Sequence, residues 1–133
     1  MASTRFLPYI GLNGVRFGDS ADAVLAALGK PTKQSKQPRS ELLQFEYDDI
    51  VVRFDPDEGV HEISAMPSEI VMADAAIPIA DLADFVRTND PKAWEHVGFL
   101  FSEQFGLMVD LDHEVIWITA LSRAHWTRDV KVQ

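Results

Sequence analysis

The sequence predicts an α+β domain built by internal duplication: a helix plus a three-to-four-stranded antiparallel unit, occurring twice, with the helices packed on one face of the sheet. Three observations lead there. Residues 50–66 (IVVRFDPDEGVHEISAM) align without a gap on residues 105–121 (FGLMVDLDHEVIWITAL), at an offset of 55. Runs rich in β-branched and aromatic residues alternate with acidic turns, the pattern of hairpin-linked strands. A stretch with apolar residues at helical spacing precedes each set of runs.

Five pairs in the aligned block are identical: Asp55/Asp110, Asp57/Asp112, Val60/Val115, Ile63/Ile118 and Ala65/Ala120. Unrelated sequences of ordinary composition would share about one. Five further pairs keep their character: Ile50/Phe105, Val52/Leu107, Phe54/Val109, Ser64/Thr119 and Met66/Leu121. The repeats are expected over about 10–67 and about 68–122, with a C-terminal tail at 123–133, all within a single domain of 133 residues. That length suffices to bury a core without staples.

In chain order, Asp19 or Ser20 caps a helix through Leu28, on which Ala21, Val24, Leu25 and Leu28 form the apolar stripe. Gly29 closes it and Pro31 prevents its restarting. The polar, proline-containing stretch 30–40 reads as a mobile connection. Strands follow at 41–47, 50–54 and 60–66, turning at Asp48–Asp49 and at Asp55–Gly59, where Gly59 takes positive φ. In the second copy Pro78 opens a helix carrying Ile79, Leu82, Phe85 and Val86 that ends near Asn89. Residues 90–95 read as an extra helical turn, followed by strands at 97–102, 106–110 and 115–121. Segments 12–17 and 70–76 supply an extra strand at the head of each copy.

Alternate strand residues face opposite sides of a sheet. The set apolar in both copies, Phe45/Leu100, Ile50/Phe105, Val52/Leu107, Phe54/Val109, Ile63/Ile118 and Ala65/Ala120, should face the helices. The opposite set differs between copies. It is Gln44, Glu46, Val51, Arg53 and Glu62 in the first, but Phe99, Phe101, Gly106, Met108 and Trp117 in the second. A contiguous apolar patch on a sheet face that should be solvated marks an interaction site. Two other covers compete for it: the tail at Arg123–Ala124–His125–Trp126, or a second copy in a homodimer.

The composition excludes several chemistries. The chain has no cysteine, so neither disulfides nor thiolate metal sites are available. Its start lacks the pattern of a secretory signal and no apolar run is long enough to span a bilayer, so a cytoplasmic location is expected. The net charge of −9 repels nucleic acid and anionic membranes and would steer a basic protein; simple solubility is the plainer explanation of it. His61–Glu62 and His113–Glu114 lack the second histidine of a zinc-binding helix, and Asp55-x-Asp57-x-Gly59 lacks the rest of a calcium loop. No serine sits in a nucleophile elbow, and no phosphate-binding loop occurs. The paired carboxylates Asp48/Asp49, Asp55/Asp57 and Asp110/Asp112 read as solvated turns rather than acid–base pairs. Neither a metal nor another cofactor is expected.

The first helix is introduced by Gly14–Val15–Arg16–Phe17–Gly18–Asp19–Ser20 and closed by Leu28–Gly29–Lys30–Pro31. With the tandem order of helix and strands, this resembles the fold of the β-lactamase inhibitory protein and of the small outer-membrane lipoproteins of that structural group. The resemblance implies two αβ units side by side whose sheets form one saddle gripping a protein partner. The chain departs from that group in having neither disulfides nor a lipidated cysteine, which points to a cytoplasmic variant. Bacterial immunity proteins, which neutralise toxins, have similar size and acidity.

The expectation is therefore a non-enzymatic protein-binding domain, an inhibitor or immunity protein for a basic toxin or enzyme, with Phe99, Phe101, Met108 and Trp117 as anchors. Asp48, Asp49, Asp55, Asp57, Asp110 and Asp112 would steer or rim the contact. The alternatives are a small-molecule-binding or enzymatic domain with a pocket between the repeats, and a structural homodimer.

Overall fold

The computed structural model describes residues 3–36 and 42–125. The chain is a mixed α/β protein, mostly sheet. Its opening strands β1 (Ser3–Leu7), β2 (Gly11–Leu12) and β3 (Val15–Arg16) lead into helix α1 (Ala21–Leu28). Strands β4 (Lys33–Lys36), β5 (Leu43–Glu46), β6 (Ile50–Asp55) and β7 (Gly59–Ala65) form an antiparallel meander. Then come β8 (Glu69–Met72), β9 (Ala75–Pro78), a 3-10 turn (Ile79–Asp81) and helix α2 (Leu82–Asn89). A second meander, β10 (Trp94–His96), β11 (Phe99–Ser102), β12 (Leu107–Asp110) and β13 (Ile118–Leu121), ends in the short helix α3 (Arg123–His125).

The two meanders join along β7 and β13 into one eight-stranded antiparallel sheet, ordered β10-β11-β12-β13-β7-β6-β5-β4. At the seam Ser64 stands opposite Thr119, and their hydroxyls lie 2.9 Å apart. A second sheet, β3-β2-β1-β8-β9, is antiparallel except where β1 runs parallel to β8. The segments at 12–17 and 70–76, each expected to supply one extra strand at the head of its copy, fall on the two hairpins β2–β3 and β8–β9 of this second sheet.

One face of the large sheet supplies the core. Phe45, Ile50, Val52, Phe54, Ile63, Ala65, Leu100, Leu107, Val109, Ile118 and Ala120 are buried there, with Phe105 packed against them. The same cluster takes Val24 from α1, Leu82 and Val86 from α2, and Phe6, Leu12, Val15 and Ile70 from the second sheet. Withdrawing each large side chain from water contributes about 1.5–3 kcal/mol. A β-bulge between Arg53 and Phe54 on one strand and His61 on the other lets Val60 pair with Phe54 and both stay buried.

Local chemistry sets the element ends. Ser20 caps α1 by accepting a hydrogen bond from the Ala23 N–H at 3.2 Å, and Gly29 (φ 82°) closes it by donating to the Leu25 carbonyl. In the β6–β7 turn the Asp55 carboxylate accepts from the backbone N–H groups of Asp57 and Glu58. Gly59 there has φ 79°, and a Cβ would stand 2.6 Å from the carbonyl oxygens of Gly18 and Asp19. Only glycine fits.

Other expected elements differ as well, and the last strand, expected from residue 115, begins at Ile118. The stretch 30–40 contains edge strand β4, whose Lys-Gln-Ser-Lys sequence is paired to β5 despite its polarity; residues 37–41 lie outside the described ones. Residues 90–95 are not a helical turn: Asp90 accepts from the Lys92 N–H and from the Ser102 hydroxyl, tying the turn to β11, and Trp94 begins β10. Among the described residues no helix is long and apolar enough to cross a membrane.

Candidate partner-binding face

The face of the large sheet turned away from the core can be read one cross-strand row at a time. One row crosses all eight strands: Lys33, Glu46, Val51, Ser64, Thr119, Met108, Phe101 and Trp94. It begins charged and ends aromatic. The next row passes through Gln44, Arg53 and Glu62 to Leu121.

On the first-meander half the polar groups satisfy one another. Arg53 donates to Gln44 through Nε (3.0 Å) and to Glu62 and Ser64 through Nη1 (3.1 and 3.2 Å). Ser64 carries the network across the seam to Thr119. The guanidinium and the Glu62 carboxylate are mostly shielded, which strengthens their attraction relative to a fully exposed pair.

The second-meander half is apolar. Phe101 is 6% exposed, stacked on Trp94 with ring centroids 5.3 Å apart and edge-on to Phe99 at 6.5 Å. Half-buried Tyr9, Trp94, Phe99 and Met108 pack around Phe101 and Leu121 as a cluster separate from the main core. Tyr9 arrives from the β1–β2 turn; its hydroxyl donates to the Glu103 carbonyl and the Arg123 guanidinium lies 4.0 Å above its ring. Burial pushes the Tyr9 phenol up from its ordinary value, against the opposing pull of Arg123. Phe101, expected as a contact anchor, is thus part of the support, while Phe99, Met108 and Trp117 keep accessible surface. Trp126 lies outside the described residues.

A hollow of about 590 Å³ opens at the edge of this half, lined by Phe99, Asp110, His113, Glu114, Val115 and Trp117. The Asp110 carboxylate is buried at its base, accepting from the Asp112 N–H at 2.9 Å and lying 2.6 Å from His113 Nδ1. Asp112 closes against the neighbouring hairpin tip, where a Cβ at Gly98 (φ 80°) would collide with its carboxylate.

The structure divides the six candidate aspartates between opposite edges of the sheet. The Met66 N–H bonds to the Asp49 carbonyl and the Asp110 N–H to that of Trp117, placing Asp48, Asp49, Asp110 and Asp112 at the edge bearing the hollow. Asp55 and Asp57 turn at the other edge, beside α1, where they line a different hollow of about 580 Å³ with Ser20, Lys36 and Phe54. They do not rim the Phe99–Trp117 surface.

The strongest exposed apolar signals were not in the sequence-derived set. Val97 is 78% exposed and Val115 54%. Val97 also holds φ 49°, a left-handed conformation that a β-branched residue pays for with about 1–2 kcal/mol. The two-residue connection between β10 and β11 forces positive φ at Val97 and Gly98; an Asn-Gly pair would have announced the turn, but Val-Gly concealed it. Among the described residues no group of three or more His, Asp or Glu is placed to hold a metal ion. No protein-family model matches the chain, and no curated protein or solved structure matches it either.

Proposed function

We propose that this chain is a non-enzymatic protein-binding domain of inhibitor or immunity type, which holds a basic protein against the apolar half of its open sheet face. The carrying observation is the contrast within one sheet: an Arg53 network on one half, Phe99, Met108 and Trp117 accessible on the other. Aromatic residues and methionine are enriched in interface cores. Acidic Asp48, Asp49, Asp112 and Glu114 at the same edge, together with a net charge of −9, favour a basic partner and a salt-sensitive association rate. Action inside the cell is part of this reading.

The finer architecture belongs to the same proposal. At the seam Ser64 faces Thr119, the pair related by the offset of 55, and each flank continues outward through three more antiparallel strands. This supports a duplication whose two copies meet about a pseudo-two-fold axis, α1 and α2 contributing to the same core. The row Gln44–Arg53–Glu62 corresponds to Phe99–Asp110–Trp117, so β5/β11 and β7/β13 keep the offset of 55. Strand β12 is displaced by two residues, with Leu107 occupying the ladder place of Ile50. An even shift leaves each side chain on its own face.

Capture from the native cell lysate tests the function. The immobilised chain should retain a basic protein, more strongly at low salt. Changing Phe99 and Trp117 together to Ser should release it, whereas Val51→Ser should not. Retention unaffected by the Phe99/Trp117 change would refute the reading. A second reading has one observation in its favour: buried Asp110 orients the exposed His113 imidazole beside a hollow, as a general base requires. Loss of a measured turnover in His113→Gln with partner capture intact would favour that enzyme over the binding domain.

A further inference from the structure

We infer that the hollow beside Trp117 is the seat for one arginine side chain of the basic partner, an inference that rests on the binding reading above. Its walls suit the non-polar surfaces of that side chain. Phe99, Val115 and Trp117 can cover its methylenes, and an indole face attracts a guanidinium lying flat on it. Its charge is right as well. Asp110, Asp112 and Glu114 lie at this edge of the sheet, and from Phe99 to Leu121 the chain carries not one Lys or Arg.

The carboxylates divide the work. Asp110 is buried and already committed to the Asp112 N–H and to His113, so it lends negative potential rather than a direct contact. Glu114 is exposed at the hollow and is the carboxylate that would meet the guanidinium. A planar, weakly hydrated cation satisfies an apolar wall and an acidic rim together. Lysine, a compact and strongly hydrated ammonium, fits the wall less well.

The test titrates N-acetyl-arginine amide, N-acetyl-lysine amide and the neutral isostere N-acetyl-citrulline amide into the isotope-labelled full chain, read by NMR at the Trp117 indole N–H and the Val115 amide. Arginine should give saturable shifts there, lysine weaker ones and citrulline none. Glu114→Gln, at an exposed position, should weaken arginine about two- to five-fold, the worth of one exposed ion pair; Trp117→Leu should remove saturation. Citrulline or lysine acting as well as arginine would overturn the inference. So would shifts spread evenly over the acidic turns. Contacts between Trp117 and residues 126–133, or shifts growing with protein concentration, would overturn it by naming the tail or a second copy as occupant. If arginine fails while the Phe99/Trp117 change still abolishes capture, only the occupant is wrong; if capture also survives the change, the binding reading falls too.

Discussion

The two halves of the outer sheet face belong to one sheet and are crossed by the same cross-strand rows, yet solve the exposed-face problem in opposite ways. On one half Arg53 ties Gln44, Glu62 and Ser64 into a single polar network. Around Phe101 the chain spends aromatic residues on a solvent-side cluster and leaves Phe99, Met108 and Trp117 partly uncovered. A sheet needs only one apolar face to fold. The difference teaches that within the second apolar surface support and contact are separate jobs: Phe101 and Leu121 are buried, while Phe99, Met108 and Trp117 keep accessible surface.

The largest expected effect breaks that separation at Phe101. Phe101→Ala should cost about 3–5 kcal/mol in denaturant unfolding, as for other buried aromatics, and Trp117→Ala only about 1 kcal/mol. Equal losses would mean that Trp117 is structural too. On the polar half, Arg53→Met should cost about 1–2 kcal/mol, because Glu62 and Ser64 lose their donor. At the seam, a Ser64→Ala/Thr119→Val double-mutant cycle should show a coupling of about 0.5–1 kcal/mol. No coupling would indicate that each hydroxyl is satisfied without the other.

Val97→Gly has the opposite sign. Relief of the left-handed strain outweighs the added freedom of the unfolded chain, so stability should rise by up to about 1 kcal/mol while partner capture weakens. A loss of stability would show that Val97 packs usefully within its own chain. The smallest effect concerns pH. Tyr9 and Tyr47 are both raised above their ordinary value of 10.0 by burial, so the fold favours their neutral forms. Their contribution is present below the unfolded-state value and is lost as pH rises through the higher folded-state values. Absorbance titration should show both phenols ionising later than in the unfolded chain.

Much of this layout was legible in the residues. Alternation identified the core face because β-branched and aromatic residues recur at period two in both meanders, and Ser20, Gly29 and Gly59 marked their turns by backbone chemistry alone. Strand β4 was hidden because edge pairing to β5 imposes an extended form on polar residues that do not advertise it. The parallel contact of β1 with β8 was equally hidden, since it joins Thr4 to Ile70 with no local signal. The site was half visible: its apolar composition was in the sequence, but the burial of Phe101 depends on Tyr9, whose hydroxyl bonds to Glu103, 94 residues away. Likewise, the aspartates looked equivalent until the ladder placed Asp55 and Asp57 at the far edge.

Hydroxyl-radical footprinting of the chain, alone and with its captured partner, tests the central claim most directly. Phe99, Met108 and Trp117 should oxidise in the isolated monomer and become protected on binding, while Val51 on the same face stays unchanged. Protection of Trp117 already in the lone monomer, or partner protection falling on the Arg53 half instead, would contradict the account.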